Sequence, residues 1–568
     1  MKNTAKRVAR MLASLLARHG VGEAVLSPGS RNAPLIVALE RHPDINTHVV
    51  VDERSAGFIA LGMAGATQGP VAMVCTSGTA PLNYAPAIAE AYYREIPLIA
   101  VTADRPEEWI DQDDSQTIIQ PGIYNNFIKG TFDIQVESDD ADRMWKINRS
   151  LNDAIILATH GRPGPVHINV RLADPLGDEE EGGGMDEYGD DARIISLEEP
   201  ACPSIPDGVA EELSERLMPP AKVLVIAGFM APGGMDAALR ELSRRPNFVV
   251  MHEAQSNLHG YGDFIPNIDA TLREVENPDE YPFVPDIVIT IGGSLTSRMV
   301  KTWLRGLPDV EHWSVGEHGH SVDCFRRLSR RIPYHPWAVV SALALRIRKR
   351  NNSETTTFKN AWKAASEAAA AHATEYAAGA PWSDFKAMAK IMGAMPHGWN
   401  LHLSNGTAVR YAQLFDYSRA ATVSCNRGVS GIDGCTSTAI GGAVMSDVPT
   451  VLITGDMSMQ YDIGALATTF IPTNFKIIVL NNGGGGIFRF IRSTRHLPEL
   501  DRCFTADVRL PLKKLAAAYG FRYFSAESAD ELEAAIKKLI SSNTAPTILE
   551  VVTDKDVSAQ TIYNYFNS

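Results

Sequence analysis

Two apolar segments end in hard oxygen donors. Val451-Leu452-Ile453-Thr454 reads as a buried strand that stops at Gly455-Asp456, and Phe475-Lys476-Ile477-Ile478-Val479-Leu480 reads as another that stops at Asn481-Asn482. Between them, Tyr461 to Phe470 has the pattern of a crossover helix. If the strands are parallel neighbours, a right-handed crossover brings both ends to the same sheet edge. Asp456, Asn482 and a carbonyl of the turn Gly483-Gly484-Gly485-Gly486 would then form an oxygen set that suits Mg²⁺ when phosphate oxygens complete the shell. The glycines let the backbone come close to such a phosphate.

Further segments place reactive groups after strands. Val49-Val50-Val51 delivers Asp52-Glu53 just ahead of an apolar helix, where Glu53 either interacts with the helix dipole or handles protons. The run Asn426-Arg427-Gly428-Val429-Ser430-Gly431-Ile432-Asp433-Gly434 has three glycines and reads as a loop that approaches something closely. Ser27-Pro28-Gly29-Ser30-Arg31 brings a turn, a hydroxyl and a guanidinium to an expected helix N-terminus, a receptor for a carboxylate. Thr102-Ala103-Asp104-Arg105-Pro106 repeats the idea after another strand.

The Gly455-Asp456 pair followed at this distance by Asn481-Asn482 resembles the signature of the thiamin diphosphate enzymes. The resemblance implies that Asp456, Asn482 and the Gly484 carbonyl hold Mg²⁺ (or Mn²⁺) against the diphosphate, with Asn405 also at the cofactor. It implies that Glu53 hydrogen-bonds the aminopyrimidine and that Ile432 props the two rings into a bent shape. It also implies a homodimer or homotetramer in which Glu53 and Asp456 of one site come from different chains. With the Ser27 to Leu35, Thr102 to Pro106 and Asn426 to Gly434 segments, the whole chain resembles the subfamily on the menaquinone pathway that decarboxylates 2-oxoglutarate and adds the succinyl carbanion equivalent to isochorismate. Both substrates are dicarboxylates, and a site for them calls for several arginines. Carried over by motif, Ser30, Arg31, Arg105 and Gln116 would contact isochorismate, Arg410 and Arg427 would receive carboxylates of 2-oxoglutarate, and Phe488 and Ile491 would line the cavity. Glu53, Arg31, Arg410 and Arg427 are the expected catalytic group. The chain departs from the subfamily where Gly406 replaces a serine and where Arg298 stands in place of a lysine. The alternatives are another thiamin-dependent 2-oxoacid decarboxylase or carboligase, such as an acetohydroxyacid synthase, and a cofactor-binding scaffold without turnover, which would have no use for Glu53.

The elements that must position these residues belong to an α/β chain of 568 residues, too long for one core. Apolar strands alternate with helical patterns throughout, as at Ala24–Leu26, His48–Val51, Val71–Cys75, Pro97–Val101, Lys222–Ile226, Asn247–Met251 and Asp286–Ile291. The acidic stretch from Asp174 to Pro200 reads as a solvated linker, and a second composition shift runs from Lys349 into the Ala-rich stretch Ala361 to Ala378. The expected architecture is three doubly wound parallel-sheet domains of the thiamin diphosphate enzyme type: 1–180 binding the pyrimidine, 200–350 Rossmann-like, and 375–568 binding diphosphate and metal. The central Gly228 to Gly234 loop lacks a dinucleotide fingerprint. A net charge of −14 without basic runs argues against nucleic acid. No segment approaches a membrane span, and six cysteines without metal or disulfide spacing fit reduced core residues of a cytoplasmic protein.

Overall fold

The computed structural model describes residues 2–181, 192–199, 202–233, 235–258, 263–317, 319–491, 493–506 and 510–567. Three parallel sheets carry the fold. The first has the spatial order Asn46–Val49, Glu23–Leu26, Val71–Cys75, Leu98–Asp104, Val166–Arg171 and Thr131–Ile134. Its central strands are buried at every residue, as expected of a parallel sheet covered by helices on both faces. The third sheet runs Thr422–Cys425, Asn400–Leu403, Thr450–Gly455, Phe475–Asn481, Thr547–Val552 and Arg522–Ala526. Counted along the chain, both sheets have the order second, first, third, fourth, sixth, fifth. The repetition is one of topology, which is why no fixed sequence period announces it.

The central sheet has five strands, in the order Phe248–His252, Val223–Ala227, Ile287–Ile291, Glu311–Val315 and Leu328–Ile332. A small antiparallel ribbon pairs Lys2–Thr4 with Glu179–Glu181. The acidic run expected to be linker therefore begins as a strand, because the extended N-terminal residues give its backbone a ladder partner. The rest of that expected linker at 182–191 and at Pro200, with Gly234 of the central loop, lies outside the described residues.

By packing, the chain forms two units. One comprises Met1–Glu199, Gly428–Thr450 and Ser458–Phe475. In it, helix Glu53–Thr67 crosses helix Cys435–Val444 so closely that a Cβ on Gly62 would lie 2.0 Å from the Thr438 carbonyl oxygen. Only glycine allows that approach. The other unit comprises Pro200–Arg427, Val451–Met457 and Lys476–Ser568. Its Ala-rich segment is the helix Ser353–Gly379, whose Phe358, Trp362, Ala365, Ala369, Ala373 and Ala377 follow a helical period and are buried.

The crossover at Tyr461 to Phe470 is not one helix. Helix Asp456–Tyr461 starts at the strand end, and only a short 3-10 stretch, Ile463–Ala467, follows. The buried Asp462 carboxylate explains the break, because it accepts the Ser437 backbone N–H at 2.6 Å and the Ser437 hydroxyl at 2.8 Å. Those bonds hold the chain out of helical register. Cys75, Cys425 and Cys435 are buried as expected, whereas Cys202 and Cys503 are exposed. Among the described residues no helix is long and apolar enough to cross a membrane.

Candidate active site

Strand Thr450–Gly455 delivers Asp456, and its neighbour Phe475–Asn481 delivers Asn482. The ends converge. Asp456 Oδ2 accepts the backbone N–H groups of Gly483 and Gly484 at 2.8 and 2.9 Å, and Oδ1 accepts that of Met457 at 2.7 Å. Gly483 and Gly484 make the turn at φ 85° and 138°, a region that favours glycine. Burial pushes the Asp456 carboxyl up to about 7, nearby Asp384 adds to the rise, and the three N–H groups oppose it.

Asn482 is buried as well. Its amide nitrogen donates to Asp384 Oδ2 at 2.7 Å, while its Oδ1 has no hydrogen-bond partner among the described residues. An orphaned buried oxygen costs about 1–3 kcal/mol, which a cation would recover. The Gly484 carbonyl accepts the Gly486 N–H at 2.6 Å and keeps a second lone pair. Carboxylate, amide oxygen and carbonyl are the hard donors that Mg²⁺ or Mn²⁺ takes alongside phosphate oxygens, so the residues fit that group.

The loop after strand Thr422–Cys425 is held by polar contacts. Asn405 Nδ2 donates to the Asn426 carbonyl at 2.5 Å, and Asn405 Oδ1 accepts Arg427 Nη1 at 3.0 Å. Arg427 Nε is buried without a partner among the described residues, so part of this guanidinium is uncommitted there. Farther along, Gly428 and Val429 donate their N–H groups to the Glu90 carboxylate at 2.8 and 2.7 Å, and the Ile432 carbonyl accepts the Ser458 hydroxyl at 2.7 Å. The half-buried Ile432 is therefore carried on a pinned backbone.

Glu53 opens helix Glu53–Thr67, which Asp52 caps by accepting the Arg54 N–H at 3.1 Å. Arg54 also lies 3.6 Å from the buried Asp462. Glu53 itself is half-buried, and its carboxylate makes no hydrogen bond or ion pair among the described residues. Burial pushes the thiol of Cys75 up, and the negative charge of nearby Glu53 adds to the rise.

Residues 6–123 match the thiamine pyrophosphate enzyme N-terminal TPP binding domain, and residues 405–551 match the corresponding C-terminal TPP binding domain. A 2-succinyl-5-enolpyruvyl-6-hydroxy-3-cyclohexene-1-carboxylate synthase of Porphyromonas gingivalis is 39% identical over 99% of this chain and 97% of its own length. Proteins of the same name from Flavobacterium johnsoniae and Flavobacterium psychrophilum are 36% and 38% identical, covering 98% and 97% of the chain and 98% and 96% of their own lengths. The chain belongs to this synthase family. It is accordingly a thiamin diphosphate enzyme.

The residues expected to receive substrate in this synthase family fall into two groups. On the first sheet, Ser30 is exposed, while Arg31 is buried and donates to the Leu172 carbonyl at 3.0 Å. Arg105 pairs with Asp114 at 2.7 Å, and the Gln116 carbonyl accepts the Ser77 hydroxyl at 2.9 Å. Gln120, which motif reading passed over, anchors that segment: it accepts the Gly78 N–H at 3.0 Å and donates to Asn169 at 2.7 Å.

In the second unit, a cavity of about 610 Å³ has Arg298, Arg410 and Ile491 in its wall but not Arg427, together with Asp269, Arg495 and Tyr563, which are not foreshadowed by any motif. Burial holds Arg410 below the usual guanidinium range, and the positive charges of Arg427 and Arg298 lower it further. Asp269 opposes them. Phe488 is not in the wall; its ring packs 5.7 Å from that of Phe504. Ile487, Phe490 and Ile491 line the cavity instead, because spacings of three and four share one face of the short helix Ile487–Phe490 and its C-cap. Gly406 has φ 93° with open space around its Cβ direction, so a serine there would fit but be strained. Thr407, the next residue, brings a hydroxyl side chain to the wall.

Proposed function

We propose that the chain decarboxylates 2-oxoglutarate and adds the succinyl unit to isochorismate, forming 2-succinyl-5-enolpyruvyl-6-hydroxy-3-cyclohexene-1-carboxylate and CO₂ in menaquinone biosynthesis in the cytoplasm. The product is the one for which its relatives are named. The observation that carries the reading is the electrostatics of Arg410, a half-buried guanidinium with no ion pair among the described residues and with two more guanidinium charges pressing on it. Arg298, Arg410 and Arg495 line the cavity against the single carboxylate of Asp269, an excess of positive charge that favours an anion with more than one carboxylate, and Arg427 adds its charge from outside the wall.

Asp456, Asn482 and the Gly484 carbonyl would hold Mg²⁺ or Mn²⁺ against the diphosphate. When bound, thiamin diphosphate supplies the electron sink for decarboxylation. Glu53 holds a proton at the aminopyrimidine, for which its uncommitted carboxylate is suited. Ile432 supports the cofactor rings and Asn405 keeps the Arg427 loop in place. Arg410 and Arg427, with Arg298, orient 2-oxoglutarate, and Ile491 closes the apolar wall. Ser30, Arg31, Arg105 and Gln116 receive isochorismate. Residues 1–180, 200–350 and 375–568 act as pyrimidine, central and diphosphate domains of a homodimer or homotetramer with sites shared between subunits.

The test is to supply thiamin diphosphate, Mg²⁺ and one 2-oxo acid at a time, and to follow isochorismate consumption. We expect 2-oxoglutarate to support it and pyruvate to fail. Equal use of pyruvate would overturn the dicarboxylate assignment.

A further inference from the structure

Asp384 has no part in the roles above. It opens helix Asp384–Gly393 and is 1% exposed. Oδ2 accepts Asn482 Nδ2 at 2.7 Å, Oδ1 accepts the Thr553 hydroxyl at 2.5 Å, and its backbone N–H donates to the Ser558 hydroxyl at 3.0 Å. The carboxylate is therefore held by Asn482 and Thr553, and the backbone that carries it by Ser558.

A carboxamide has a donor end and an acceptor end of nearly equal shape, so its partners decide which end points where. An ionised carboxylate only accepts. Facing Asp384, Asn482 must present its NH₂ group, and its oxygen must turn the other way. That oxygen is the buried Oδ1, which has no hydrogen-bond partner among the described residues. We infer that Asp384 is a positioning residue for the metal, fixing the Asn482 amide so that its oxygen and not its nitrogen meets the cation. The inference rests on the metal site proposed above. An amide NH₂ cannot ligate a hard cation, so an Asn482 free to turn would be a ligand only part of the time.

The test uses the full chain with thiamin diphosphate and Mn²⁺ as the probe, reading free Mn²⁺ by electron paramagnetic resonance. Asp384→Leu is expected to weaken Mn²⁺ binding about 10- to 100-fold. The polarity swap Asp384→Asn with Asn482→Asp should restore binding to within several-fold of the parent, because the new amide donates to the new carboxylate and leaves an oxygen for the metal. Asp384→Leu binding Mn²⁺ as tightly as the parent would overturn the inference. So would a swap that binds no better than Asp384→Leu. If Asp384→Leu does not fold, the swap is compared with Asn482→Asp alone, in which two acids face each other: tighter binding by the swap supports the inference, and equal or weaker binding overturns it. Asp456→Ala is the control for the site itself. Mn²⁺ retained in Asp456→Ala removes the metal assignment, whereas Mn²⁺ lost there but kept in Asp384→Leu removes only the role of Asp384.

Discussion

Glu90 holds Val429 in place, its Oε2 accepting the Val429 backbone N–H at 2.7 Å while Oε1 accepts that of Gly428 at 2.8 Å. Glu90 is 1% exposed, so neither N–H has water to fall back on. Glu90→Gln turns one acceptor into a donor and should cost about 1–3 kcal/mol of stability. Because the same loop carries Ile432, cofactor affinity should fall with it. Urea denaturation and calorimetric titration of thiamin diphosphate check both, and an unchanged variant would show that the loop stands without this bond.

Asp462 gives the fold a pH dependence of known sign. Burial raises its carboxyl to about 6 from a usual value of 3.8, against the pull of its bonds to Ser437 and the charge of Arg54. Between those values the folded chain binds more protons than the unfolded one, so this residue's contribution is most favourable below 3.8 and is lost as pH rises through 6. The full difference is about 3 kcal/mol. Asp462→Asn keeps the contacts to Ser437 without the buried charge, and denaturation series across this window should show a flatter slope than the parent. An identical slope would mean that Asp462 titrates normally.

Much of the site was legible because its chemistry lies at strand ends. Val71–Cys75 and Phe475–Asn481 are apolar runs, and the residue types just beyond such strands announce themselves locally. Strands such as Asn400–Leu403, read as Asn-Leu-His-Leu, and Arg522–Ala526 carry polar residues that blur the pattern. Asp384 was illegible for a different reason. Its meaning comes from a contact across 98 residues of sequence, which no local spacing encodes. Tyr563 and Asp269 reach the cavity wall from distant elements in the same way. Phe488 packs against Phe504 and does not line this cavity, since one step along a short helix turns a side chain to another face.

If sites are shared, inactive subunits should complement each other. Mixing Glu53→Gln with Asp456→Ala subunits, after subunit exchange is verified by mass spectrometry, creates hybrid dimers in which one site keeps both residues. About half of the hybrid's sites should then turn over, on the logic of symmetric exchange. No recovered activity in confirmed hybrids counts against a shared site.

The arginines should separate the two substrates. Arg410→Ala removes a charge-assisted contact worth about 1.5–3 kcal/mol, so CO₂ release from 2-oxoglutarate should slow or require more substrate. Arg31→Ala should leave that release nearly intact and raise the requirement for isochorismate, with circular dichroism confirming the fold. Equal loss of CO₂ release in both variants would place them on the same substrate.

The most direct measurement is quenched-flow counting of CO₂ released from carboxyl-labelled 2-oxoglutarate by the enzyme loaded with thiamin diphosphate and Mg²⁺. Without isochorismate, the account predicts a burst close to one CO₂ per active site followed by slow release. Adding isochorismate should convert this to sustained turnover matched one for one by isochorismate loss. Steady CO₂ release that ignores isochorismate would contradict a synthase and leave a simple decarboxylase.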